Sequence, residues 1–207
     1  MKRIMTSIGV FLLLFGFTVT AGASTISITD LKGWTAVRFI LGGTSYYDYA
    51  GAFQLTIDGN NSIGYCIDLF HTTYVPSGPY TTTLVALDPN QKWQAQAAWL
   101  MDNCGGTDIQ NAAVQLAIWN VEYGGLTYIG DNSGGQVGVW FNNYMTALGN
   151  NLYSGTKYQI APLAASYGAQ NLLVDPPPAP VAEPTTLMLL GSGLIGLAGF
   201  RFRFRKR

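Results

Sequence analysis

At 207 residues, with 48% hydrophobic and 11% charged residues, 25 Gly and 2 Cys, the chain has room for one ordinary domain with attachments. It is not a disulfide-dense miniature, a collagen or a highly charged disordered polymer. Its formal charge is zero, yet seven of the 11 Lys and Arg sit at the two ends; the four others and all 11 acids lie between Asp30 and Glu183, which leaves that stretch at −7. Nucleic acid is excluded as its partner, because phosphate is held by clustered Lys and Arg.

In chain order, Lys2 and Arg3 precede an apolar run over residues 8–19 that reaches the small residues Ala21-Gly22-Ala23. That order predicts a secretory signal peptide over residues 1–23, cut after Ala23. The mature chain then begins at Ser24 in an oxidising compartment.

The body, residues 24–174, is expected to be α+β, an antiparallel β-sheet or sandwich packed with about three α-helices. Short β-branched and aromatic segments punctuated by Gly, Asn and Asp predict strands over 25–28, 35–41, 52–57, 63–69 and 81–87. Asp58-Gly59-Asn60-Asn61 predicts a hairpin turn between the third and fourth of these, and is too sparse for a calcium loop. Alternation along 63–69 places Ile63, Tyr65, Ile67 and Leu69 on one face and Gly64, Cys66 and Asp68 on the other. Asp88-Pro89-Asn90 opens a helix with Trp93, Ala97 and Leu100 on one face, which stops at Cys104-Gly105-Gly106. A second helix, capped by Thr107 or Asp108, runs through Trp119 and ends at Gly124-Gly125. In a third, Val137, Trp140, Phe141, Tyr144, Met145 and Leu148 recur at three and four residues as a core face. Short strands near 158–163 and 170–174 return to the sheet.

Residues 175–184 form a stiff Pro-rich linker ending in Val181-Ala182-Glu183-Pro184, followed by an uncharged run over 185–200 and the cluster Arg201, Arg203, Arg205, Lys206 and Arg207. Residues 185–207 are expected to be a transmembrane helix with a basic end, which the positive-inside rule leaves in the cytoplasm with the acidic body outside. Glu183-Pro184, apolar run and Arg cluster together resemble the PEP-CTERM sorting signal, with Ala182 where that family most often has Pro. The resemblance implies processing by an exosortase, a membrane-embedded cysteine transpeptidase or protease. It also implies an inner-membrane-anchored intermediate, then delivery to the cell surface or extracellular matrix of a Gram-negative bacterium.

Two pieces of the body carry candidate chemistry: Tyr65-Cys66-Ile67-Asp68 on a strand and Val114-Gln115-Leu116-Ala117-Ile118-Trp119 on a helix. A Cys thiolate attacking a Gln carboxamide expels ammonia, and the acyl-sulfur bond that results is a better electrophile than an amide, open to a partner's amine or hydroxyl. Trp119, one helical turn after Gln115, is placed to shield such a bond from water. The two pieces resemble the thioester domain of bacterial surface adhesins. That resemblance makes Cys66 the thiol and Gln115 the acyl donor, with Tyr65, Ala117, Ile118 and Trp119 completing the motif and Val114 standing in place of the family's Thr. It implies a single-use covalent adhesive, not an enzyme and without cofactor, whose partner is an amine- or hydroxyl-bearing surface ligand.

The other reading of the cysteines is a Cys66–Cys104 disulfide, which would stabilise the fold by about 3 to 4 kcal/mol. The protein would then be a non-covalent structural component of the extracellular polysaccharide or biofilm matrix. The sequence carries no His and Cys cluster for a metal, no phosphate loop and no Gly-x-Ser-x-Gly elbow. His71, the single His, is a candidate base by count alone and is read as a surface residue; Glu122, two turns beyond Gln115, is read either as a hydrogen-bonding neighbour of it or as a solvated helix end.

Overall fold

A computed structural model describes residues 22–178. Residues 1–21 of the expected signal peptide, the sorting residues Glu183 and Pro184, the apolar run 185–200 and the basic residues Arg201, Arg203, Arg205, Lys206 and Arg207 lie outside that range. Among the described residues no helix is long and apolar enough to cross a membrane.

The described chain is α+β, a curled antiparallel sheet with four helices. It begins with β1 (Ser24–Leu41) and β2 (Thr44–Ile57), two long strands paired along most of their length, followed by β3 (Asn60–Cys66). Asp58 and Gly59, at φ 50° and 79°, make the two-residue turn between β2 and β3, with Ile57 opposite Asn60. Such a turn needs left-handed backbone at both positions, which Asp tolerates and Gly adopts freely. The predicted hairpin is therefore present, with Asn60 and Asn61 already in the strand. β4 (Ser77–Thr82), β5 (Val85–Ala86), β6 (Thr127–Asp131), β7 (Gln159–Ala161) and β8 (Leu172–Val174) complete one sheet ordered β4-β1-β2-β3-β8-β7-β5, with β6 also paired to β1.

The segments expected at 25–28 and 35–41 are one strand. β1 pairs with β4 over Ser24 to Ile28 and with β6 over Val37 to Ile40, and between these partners its register against β2 slips twice, at Ile28/Asp30 and Lys32/Thr35. Gly33 sits in the second slip at φ +65°, and a Cβ there would lie 2.4 Å from the Asp108 Cα. The bulge thus touches the first turn of the central helix, a close approach only glycine permits. β6 has no counterpart in the predicted elements, because its short polar sequence acquires strand geometry only from the β1 edge.

The helices α1 (Lys92–Asn103), α2 (Asp108–Tyr123) and α3 (Gln136–Leu148) fall where the apolar spacing placed them, and α4 (Ala164–Tyr167) adds a single turn. Thr107 caps α2 in a reciprocal box: its hydroxyl accepts the Gln110 N–H, and the Gln110 side chain accepts the Thr107 N–H. Every residue of α2 from Asn111 to Trp119 is buried. A helix enclosed on all sides belongs at the centre, and α2 packs on β1, β2, β3, α1 and α3. Trp119 packs on Phe39 of β1, with ring centroids 5.5 Å apart and the rings tilted by 32°.

Candidate functional site

β3 delivers Cys66 to α2 at the point where β2 stops pairing. The β2–β3 ladder ends at Phe53 opposite Gly64, and Cys66 turns its backbone to a side chain instead. Its N–H donates to Gln115 Oε1 at 2.9 Å, and its C=O accepts from Gln115 Nε2 at 2.7 Å. The carboxamide thus lies across the Cys66 main chain as a surrogate strand, and both residues are almost wholly buried. The chain then tightens, so that the Cys66 thiol donates to the Asp68 carbonyl and Sγ accepts the Asp68 N–H, each at 3.2 Å. Tyr65 reaches α2 as well, its hydroxyl 3.2 Å from Asn111 Oδ1. Residues 64–69 are all buried, so the expected alternation of faces does not separate an inner from an outer side there.

Cys66, Gln115 and Trp119 line a cavity of about 460 Å³. Its mouth forms where β1 and β2 lose register. Trp34 and Tyr49, each more than half exposed, meet edge to face at 5.0 Å, and Tyr74 stands 78% exposed across the opening. Asp30 and Asp48 add carboxylates, and neither Lys nor Arg lines the cavity. Burial raises the Asp48 carboxyl above its ordinary range, against the Tyr49 N–H it accepts.

The thiol itself is not activated. Burial drives Cys66 far above the ordinary thiol value, a rise that the Asp68 backbone and the Trp119 indole oppose and that the charges of Glu122 and Asp68 reinforce. The Trp119 indole N–H acts on this sulfur yet has no hydrogen-bond partner of ordinary geometry. Glu122 is not a solvated helix end: Oε2 is buried without a partner, and burial, helped by the nearby Asp68 charge, pushes its carboxyl up to about 8. Ala117 and Ile118 are core residues of α2 and do not line the cavity.

His71 is exposed, as a surface residue should be. Its Nδ1 nevertheless lies 2.8 Å from the Asp68 carboxylate, and the residue lines the same cavity as Cys66 and Gln115. Asp68 is held in turn by the Phe70 N–H and Asn171 Nδ2. The sequence placed Asp68 on the Cys66 strand without a role and did not show the aromatic mouth; the spacing of Cys66, Asp68 and His71 on one short segment was the available signal for the former.

Cys66 and Cys104 are both free thiols. Cys66 faces Trp119 and Glu122, whereas Cys104 closes α1 near Tyr65 and Tyr144, and burial raises it to about 11. Among the described residues no group of three or more His, Cys, Asp or Glu could hold a metal ion.

Comparison with known proteins adds the tail. Residues 180–206 match the model of the PEP-CTERM protein-sorting motif. They are a sorting motif. It contains Glu183, Pro184 and the basic residues from Arg201 to Lys206, and it implies an exported chain that is membrane-anchored, processed by an exosortase and delivered to the cell surface. No curated protein and no solved structure matches the chain.

Proposed function

We propose that the body delivered by this sorting motif is a covalent adhesion module, in which Cys66 and Gln115 form an internal thioester that a surface ligand or extracellular polysaccharide opens. One observation carries this reading: the Gln115 carboxamide is pinned to the residue that bears the thiol, at 2.9 and 2.7 Å, at the floor of an aromatic-lined cavity. Closure joins Sγ to the Gln115 carbonyl carbon and releases Nε2 as ammonia, with the thiol proton leaving on it. The Cys66 N–H already donates to Oε1, so it stabilises the oxyanion that develops there. The indole N–H of Trp119 faces the sulfur, and the cavity walls limit water.

Intact-mass measurement of the exported chain tests the reading. A thioester lowers the mass by about 17 Da and is opened by methylamine with an adduct at Gln115; the full mass with two free thiols refutes it. A second reading, a non-covalent component of the polysaccharide matrix, is favoured by the exposed rings of Trp34, Tyr49 and Tyr74, which offer flat faces to sugars. In that case the mass is unchanged, or about 2 Da lower if Cys66 and Cys104 pair under oxidising conditions.

A further inference from the structure

We infer that His71, oriented by Asp68, is the base that moves the proton of a hydroxyl-bearing partner when the Cys66–Gln115 acyl bond opens, which makes alcohol groups such as those of a glycan the substrates of this site. The inference rests on the thioester reading. Its structural ground is the short segment from the last residue of β3 onward, which carries the thiol of Cys66, the carboxylate of Asp68 and the imidazole of His71. Nδ1 of His71 lies 2.8 to 2.9 Å from the two Asp68 oxygens. Asp68 cannot swing away, because it also accepts from Phe70 N–H at 3.3 Å and Asn171 Nδ2 at 3.2 Å. In the tautomer with the proton on Nδ1, shared with that carboxylate, Nε2 keeps a free lone pair on a ring that lines the same cavity as Gln115.

The chemistry requires such a group for one class of nucleophile and not for the other. A neutral amine attacks a thioester unaided, whereas an alcohol at neutral pH needs its proton removed as it attacks. Asp30 and Asp48 also face the cavity, from β1 and β2, but their carboxylates accept the backbone N–H of Leu31 and Tyr49. In the step, the partner's hydroxyl oxygen bonds to the Gln115 carbonyl carbon while its proton passes to His71 Nε2. The C–S bond then breaks, the electron pair leaves on Cys66 Sγ beside the Trp119 N–H, and the imidazolium returns its proton to that sulfur. The products are an ester at Gln115 and a free thiol, with atoms and charge balanced.

The test uses the full exported chain with glycerol and methylamine as probes, following the adduct at Gln115 by mass. In a His71→Ala chain that retains the loss of about 17 Da, glycerol capture is expected to fall about 10²-fold. Methylamine capture should be little changed, and added imidazole should restore part of the glycerol reaction. Asp68→Asn, which leaves a single acceptor oxygen for Phe70 N–H, Asn171 Nδ2 and His71 Nδ1, weakens the hold on Nδ1 and should give an intermediate fall. Equal glycerol rates in wild type and His71→Ala overturn the inference and leave the thioester standing, as does a wild-type chain that takes methylamine and not glycerol. A wild-type chain of full mass removes both readings together.

Discussion

Two carboxylates at the ends of helices have opposite fates in this molecule. Asp131, ahead of α3, accepts the Gly135 and Val137 N–H groups at 3.1 Å each, the Ser133 hydroxyl at 2.6 Å and the Tyr128 hydroxyl. Burial alone would raise its carboxyl, but these donors outweigh burial and hold it below its ordinary value. Glu122, near the end of α2, has a buried oxygen with no donor at all and is pushed up to about 8. The first cluster is complete and serves the fold. The second is left open, as is the Trp119 N–H at the cavity that Cys66 and Gln115 also line, and unsatisfied buried polar groups mark where chemistry is expected.

The largest loss is expected at the Gln115 carboxamide, which is bonded to the Cys66 main chain near the open cluster. Gln115→Leu keeps the volume but orphans the N–H and C=O of Cys66, which should cost about 3 kcal/mol in urea unfolding; a negligible loss would show that the pair contributes nothing to the fold. Asp131→Ala should cost about 2 kcal/mol by removing the cap of α3. Its lowered carboxyl contributes stability that is present above the unfolded value of 3.8 and lost as pH falls through the lower folded value, so the penalty should shrink in acid titration.

A third effect has the opposite sign. Glu122 is protonated in the folded chain over a range where the unfolded chain ionises it, so its contribution is full below 4.5 and is lost as pH rises to about 8. Glu122→Gln should therefore raise the melting temperature at pH 8 and leave it unchanged at pH 4. A variant equally stable at both would place Glu122 in water and erase the contrast.

Much of the architecture was legible in the residues. The caps and apolar spacing of α1, α2 and α3 are local signals, as is the Asp58-Gly59 turn, because each depends on backbone preferences a few residues apart. The failures share a cause. β6 and the Tyr-rich first half of β2 become strands by pairing with β1, and no local pattern announces a partner in another part of the chain. Glu122 looked ordinary for the same reason: the Asp68 charge that acts on it comes from the segment after β3.

By itself, the sequence determined the α+β body, the Cys66 and Gln115 pieces and the sorting motif over 180–206, since those rest on composition, period and short motifs. Only the tertiary structure decided that Gln115 closes on the backbone of Cys66, that Asn171 holds Asp68 and that a cavity forms beside the slipped register. Distances between residues 49 positions apart are set by how the sheet wraps a buried helix, and burial, not residue type, sets the protonation of the groups left there.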